Sequence, residues 1–199
     1  MEITAVPQNV FDTDFKLATR YSNKVKYRAL KAKGGKLLDD VDEGISLRIF
    51  PSEIALLDDN QEKVLYYVQF KEKEFHGRDS VTQIKLWSDP TSSYTDSIFK
   101  FGMKITTYVF FKILLPKADM ILSDAQQTQA GRRFWEKRVK DALSLSLCVF
   151  LVDQNLNKKI KIKDLDQFND LKEKWWGDED TFLARRLAIS KKPLWTSSE

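Results

Sequence analysis

One cysteine, one histidine and seven glycines are all that 199 residues offer to three common kinds of site chemistry. A lone cysteine forms no internal disulfide. One cysteine and one histidine fall short of the four ligands a structural zinc site requires. The glycines build no phosphate-cradling loop. Long apolar runs are also missing. The longest, residues 105–115, is interrupted by Lys112 and closed by Pro116, well short of the roughly 20 residues a membrane span needs. Residues 1–13 carry Glu2 and lack the basic start and apolar run of a signal peptide. These absences predict a cytoplasmic protein that does not enter a membrane.

What is present fills a core. The chain is 42% hydrophobic, with thirteen Phe and five Trp, the composition of a folded domain and not of a disordered one. The predicted organisation is a flexible arm over 1–13, a single domain over 14–192 and a tail over 193–199. Cys148 lies in the apolar stretch 145–152, which predicts a buried, inert thiol. Thirty-three basic residues against 29 acidic give a net charge of +4, an excess that permits contact with an anionic partner without demanding it. The distribution is uneven. Residues 24–36 are basic, 39–43 are acidic, and 158–163 read Lys-Lys-Ile-Lys-Ile-Lys.

Hydrophobic periodicity predicts the elements. Phe15, Ala18, Tyr21, Val25 and Ala29 recur at helical spacing, and Gly34-Gly35 ends that helix. A strand over 24–30, with Val25, Tyr27 and Ala29 on one side, is the competing reading. Residues 39–43 read as a solvated acidic loop. Period-two patterning then predicts strands over 45–50, 54–57 and 64–75, with Val64, Tyr66, Val68 and Phe70 on one face. A turn at His76-Gly77-Arg78-Asp79 leads to a strand with Thr82, Ile84 and Leu86 inward. From Thr95 or Asp96 the period becomes helical to about Leu114, with Ile98, Phe101, Ile105, Tyr108 and Val109 on one stripe. A strand over 119–123, a helix from Asp124 to about Ser144 and a fully buried strand over 145–152 follow. A helix over 164–176 and a last strand over 186–190 end the order. The fold class is mixed α+β: an antiparallel meander followed by a strand–helix–strand crossover, giving a mixed central sheet flanked by helices.

That order resembles the GNAT acetyltransferase superfamily, in which antiparallel strands lead into a helix, a strand, a helix and another strand. The likeness covers residues 45–152, with 186–190 as a final strand. It implies acetyl-CoA or another acyl-CoA as cofactor, bound where the fourth strand runs into the next helix. Here that junction reads Trp87-Ser88-Asp89-Pro90-Thr91-Ser92-Ser93-Tyr94-Thr95-Asp96. It departs from the family's glycine-rich, basic pattern and is degenerate as a cofactor loop. Ser92, Ser93 and Thr95 are the donors left to a coenzyme. Residues 121–135 are also similar to small proteins of phages and mobile elements.

The remaining candidates divide between chemistry and packing. His76 sits in a turn, without the partner and cleft a general base needs. The acidic run 39–43 lacks the ligand spacing of a calcium loop. On the helix after Asp124, Arg132, Arg133, Lys137, Arg138 and Lys140 are expected on the side away from Phe134, Trp135 and Val139. That face suits phosphates or an acidic partner, or else it is ordinary solvated surface with a Glu136–Lys140 pair. The 158–163 run reads as a charged edge strand. Trp175 and Trp176 cannot both face inward, because helical neighbours differ by about 100°, so Trp176 is a partner-binding candidate. Two functions follow: a non-catalytic binding protein that occupies a host protein or nucleic acid through the basic face, or a divergent acyltransferase. The residues carry no catalytic signature and no signature of an oligomeric state.

Overall fold

The computed structural model describes residues 20–96, 98–124, 129–153, 158–177 and 185–194. It is a mixed α+β protein with a nine-stranded mixed sheet. The described residues form two compact units, one of residues 20–71 and 84–109 and the other of 72–83 and 110–194.

The first unit begins with α1 (Arg20–Lys33), so helix and not strand wins over 24–30. Gly34 closes it at φ 63°, its N–H donating to the Lys31 carbonyl. The buried face differs from the expected one. Val25 and Ala29 are exposed, while Asn23, Tyr27 and Leu30 are buried. A polar residue heads the core stripe, and a search for apolar spacing passes over it. β1 (Lys36–Asp42) occupies the segment expected as an acidic loop. It pairs antiparallel with β2 (Ile45–Ile49), which pairs with β3 (Glu53–Asp58), and β3 with β4 (Lys63–Phe75). β3 and residues 64–68 of β4 are buried on both faces. Tyr27, Leu30, Phe50, Ala55, Leu57, Val64 and Tyr67 form one cluster, with Trp87 packed against it.

A two-residue turn joins β4 to β5 (Arg78–Ser88). His76 and Gly77 both have positive φ, 49° and 69°. That backbone is the I′ geometry which matches strand twist. Residues 71–74 are exposed yet remain within β4. In β5 it is Val81 that is fully buried; Thr82, Ile84 and Leu86 are half-buried. After the short α2 (Ser93–Asp96), the chain turns at Phe101 and Gly102, both left-handed, between a bridge of Lys100 with Met103. The long helix expected from residue 95 therefore starts at Ile105. α3 (Ile105–Tyr108) continues as a π-helical stretch over Val109–Leu114 and a 3-10 turn over Leu115–Lys117. Ile98 and Phe101, expected on its buried stripe, are 73% and 72% exposed.

The second unit holds the strand–helix–strand crossover. β6 (Met120–Leu122) pairs parallel to β5 at Ser80 and Val81. α4 (Gln129–Ser144) crosses to β7 (Cys148–Asp153). β8 (Lys158–Ile162) pairs antiparallel with β7 at the sheet edge, as the lysine run predicts. α5 (Leu165–Gly177) follows, its first turn capped by the Asp164 carboxylate accepting from the Gln167 N–H at 2.8 Å. β9 (Arg185–Ser190) then enters between β6 and β7, antiparallel to both. The sheet order is β1-β2-β3-β4-β5-β6-β9-β7-β8. Phe75, Met120, Leu122, Phe150, Val152, Ala188 and Leu194 form the cluster here, with Cys148 half-buried against it. No helix among the described residues is long and apolar enough to cross a membrane.

Candidate functional site

The crossover helix sorts its cations by helical angle. Trp135, Val139 and Ala142 are buried, and Arg138, three residues after Trp135 and four before Ala142, is buried with them at 2% exposure. Its expected place on the outer face is therefore corrected. Its guanidinium lies 5.4 Å from the Phe134 ring centroid and 6.0 Å from those of Phe110 and Phe111. It pairs with Asp141 at 2.9 Å. Aromatic faces and one carboxylate compensate its charge away from the surface. Arg138 is a core residue. The signal was in the sequence, since 135, 138, 139 and 142 follow one helical stripe.

Arg133, Lys137 and Lys140 are exposed at i, i+4 and i+7, a single crest opposite the core. Arg132 is half-buried beside them. Glu136 does not pair with Lys140. It reaches Lys172 of α5 at 3.3 Å. Among the described residues, Arg133, Lys137 and Lys140 have no ion-pair partner. α1 is the instructive contrast. Its described cations are each spent within the unit: Lys24 and Arg28 on Glu62, Lys31 on Asp59, Lys26 and Lys33 on Glu53. Basic sequence alone did not distinguish the two helices.

Glu53 is a heavily engaged carboxylate. It accepts from Lys26 Nζ at 2.9 Å, Lys33 Nζ at 2.5 Å and the Tyr67 hydroxyl at 2.5 Å, with Lys26 also 4.2 Å above the Tyr67 ring. Burial pushes its pKa up, but the three donors outweigh burial and hold it at about 2. Burial and the bond to Glu53 drive the Tyr67 phenol up. A carboxylate so far below neutral pH is a poor proton acceptor, so this network clamps α1 to β3 and β4.

The strand-to-helix junction also changes. Asp89 is buried, and its carboxylate accepts from the Thr91 N–H at 2.8 Å and the Thr91 hydroxyl at 2.7 Å and pairs with Lys63. Burial raises its pKa, but Lys63 and Thr91 bring it below the ordinary value. One of the junction's two carboxylates is thus paired within the unit. Ser92 is buried behind this turn and Ser93 is exposed at the start of α2; the Thr95 side chain lies outside the described residues. Because α3 starts at Ile105, the connection from β5 extends to Lys104 and includes Lys100, Gly102 and Lys104. The sequence reading ended it at Asp96 and missed all three. Lys100 pairs with Asp39 at 2.6 Å, which raises its pKa, and the Tyr94 hydroxyl donates to Asp42 at 2.8 Å.

His76 is exposed in its turn, edge-on to Phe75. Trp175 is buried, with the Arg185 guanidinium 5.3 Å from its ring, while Arg185 also pairs with Asp153 at 3.1 Å. The Trp176 side chain lies outside the described residues. Among the described residues no group of three or more His, Cys, Asp or Glu gathers to hold a metal ion. No protein-family model, curated protein or solved structure matches this chain.

Proposed function

We propose that this chain is a non-catalytic, GNAT-like binding protein, encoded by a phage or mobile element, that acts by seating the crest of α4 against an acidic surface of a host macromolecule. The observation that carries this is the crest itself. Arg133, Lys137 and Lys140 are aligned, exposed and unpaired among the described residues, whereas the described cations of α1 are consumed internally. The GNAT-like layout is supported by the meander, the parallel β5–β6 pair, the α4 crossover and a last strand beside β6. The partner is a protein in preference to a nucleic acid. α5 packs beside α4 and exposes Asp166, Asp170 and Glu173. Carboxylates next to the crest oppose a continuous phosphate backbone but suit a protein surface of mixed charge.

Anisotropy titrations with labelled polyglutamate and labelled duplex DNA test this reading. Polyglutamate binds the wild type, and Lys137→Glu with Lys140→Glu weakens it at least about tenfold at low salt. Tighter binding of the duplex overturns the protein preference. A second reading, an acyltransferase using acyl-CoA, is favoured by Lys100, Gly102 and Lys104 in the β5–α3 connection. Saturable micromolar binding of acyl-CoA, followed by tryptophan fluorescence, supports that reading and overturns the non-catalytic one.

A further inference from the structure

α5 carries the counterpart of the α4 crest. Asp166, Asp170 and Glu173 stand at i, i+4 and i+7, all exposed, and among the described residues none has an ion-pair partner. The α4 cations have the identical spacing, so each stripe spans about 10 Å of helix. The two helices pack side by side, joined by Glu136–Lys172 at 3.3 Å. Phe168 and Trp175 place the buried side of α5 away from its acids, just as Trp135, Val139 and Ala142 do for the cations of α4. In an isolated copy both stripes are unfavourable, because like charges at i, i+3 and i+4 repel. Leu145, one residue beyond α4, and Leu165, the first residue of α5, are 41% and 36% exposed.

We infer that the acidic surface α4 accepts includes that of a second copy of this chain, forming a two-fold dimer in which α4 of each copy faces α5 of the other. This rests on the reading of the α4 crest as a site for an acidic protein surface, and it names one such surface. Charge complementarity selects the arrangement. Three cations meet three carboxylates of equal spacing, twice, across an axis that closes the assembly. Leu145 and Leu165 lie at the helix ends and add apolar area that exposed ion pairs need, since these contribute little alone. The dimer covers the crest, so it competes with any other acidic partner.

Sedimentation velocity on the full chain tests this. The wild type sediments as a dimer at about 20 mM salt and as a monomer at about 500 mM, where exposed charges are screened. The variant Arg133→Glu, Lys137→Glu, Lys140→Glu and the variant Asp166→Lys, Asp170→Lys, Glu173→Lys each stay monomeric at low salt. Their equimolar mixture dimerises, because one copy then presents two acidic stripes and the other two basic ones. Far-UV circular dichroism checks that each is folded, and the single pair Lys137→Glu and Asp170→Lys repeats the test with less perturbation. A wild type that is monomeric at low salt, or folded variants that do not associate when mixed, overturns the dimer. Polyglutamate binding by a strictly monomeric protein sinks this inference alone. Failure of the monomeric Asp166→Lys, Asp170→Lys, Glu173→Lys variant, whose α4 crest is uncovered, to bind polyglutamate sinks the wider acidic-partner reading and leaves the second-copy contact standing.

Discussion

Glu53 holds two lysines and a tyrosine on one nearly buried carboxylate, and its pKa of about 2 against an ordinary 4.5 makes stability depend on acid. The folded protein binds fewer protons here than the unfolded chain. The contribution is therefore complete above the unfolded value and disappears as pH falls from about 4.5 towards 2. Between about pH 7 and about pH 3, urea unfolding of the wild type is expected to show a loss on the order of 2 kcal/mol greater than that of Glu53→Gln. If the wild type and the variant lose stability equally, Glu53 is not the titrating group. Arg138 belongs at the same scale. It reads as a surface cation by residue type and as a core residue by position, and position decides because the Phe110, Phe111 and Phe134 rings accept its charge.

Between elements, α1 is fastened to β4 by a polar side chain acting as a strand would. Asn23 donates to the Val64 carbonyl at 3.0 Å and accepts from the Val64 N–H at 2.7 Å. Its burial disguised the true face of the helix, which runs Asn23, Tyr27, Leu30 and not Val25, Ala29. Asn23→Ala leaves both backbone groups of Val64 without that partner and is expected to cost about 2–3 kcal/mol in chemical unfolding. A loss under about 0.5 kcal/mol would mean that water takes over both bonds. The α3 region has the opposite lesson. Its apolar spacing from residue 98 is real, but the left-handed turn at Phe101 and Gly102 breaks the helix before it forms. Ile98 and Phe101 are consequently left in solvent.

For the whole molecule, the decisive connection is the last one. β9 is the last described strand, yet it lies between β6 and β7, its Ile189 paired with Ile121 of β6 on one side and with Val149 of β7 on the other. Removing residues 185–199 takes out an inner strand and exposes two ladder edges, which invites aggregation. The truncated chain is expected to lose the near-UV signal of Trp135 and Trp175 and to precipitate on concentration. Retention of the full-length Tm would show that β9 is dispensable.

Local chemistry was legible in the sequence wherever local rules apply. Alternation over 64–70 marked β4, the apolar run before Asp153 marked β7, and helical spacing marked the end of α4 at Ser144 and both ends of α5 to within a residue; the expected start of α4 just after Asp124 lies outside the described residues. The His76-Gly77 turn and the charged edge strand were equally readable, because strand twist and edge protection act over a few residues. Three things were settled only in three dimensions: that 36–42 is a strand, that the connection after β5 runs on to Lys104, and that Arg133, Lys137 and Lys140 of α4 have no ion-pair partner among the described residues while the described cations of α1 do. The last two depend on partners far along the chain, Asp39 for Lys100 and Glu53, Asp59 and Glu62 for α1, whereas β1 is held by its neighbour β2, a pairing its own charged residues do not announce. Periodicity reports which way a side chain points, and only the folded chain decides what it meets there.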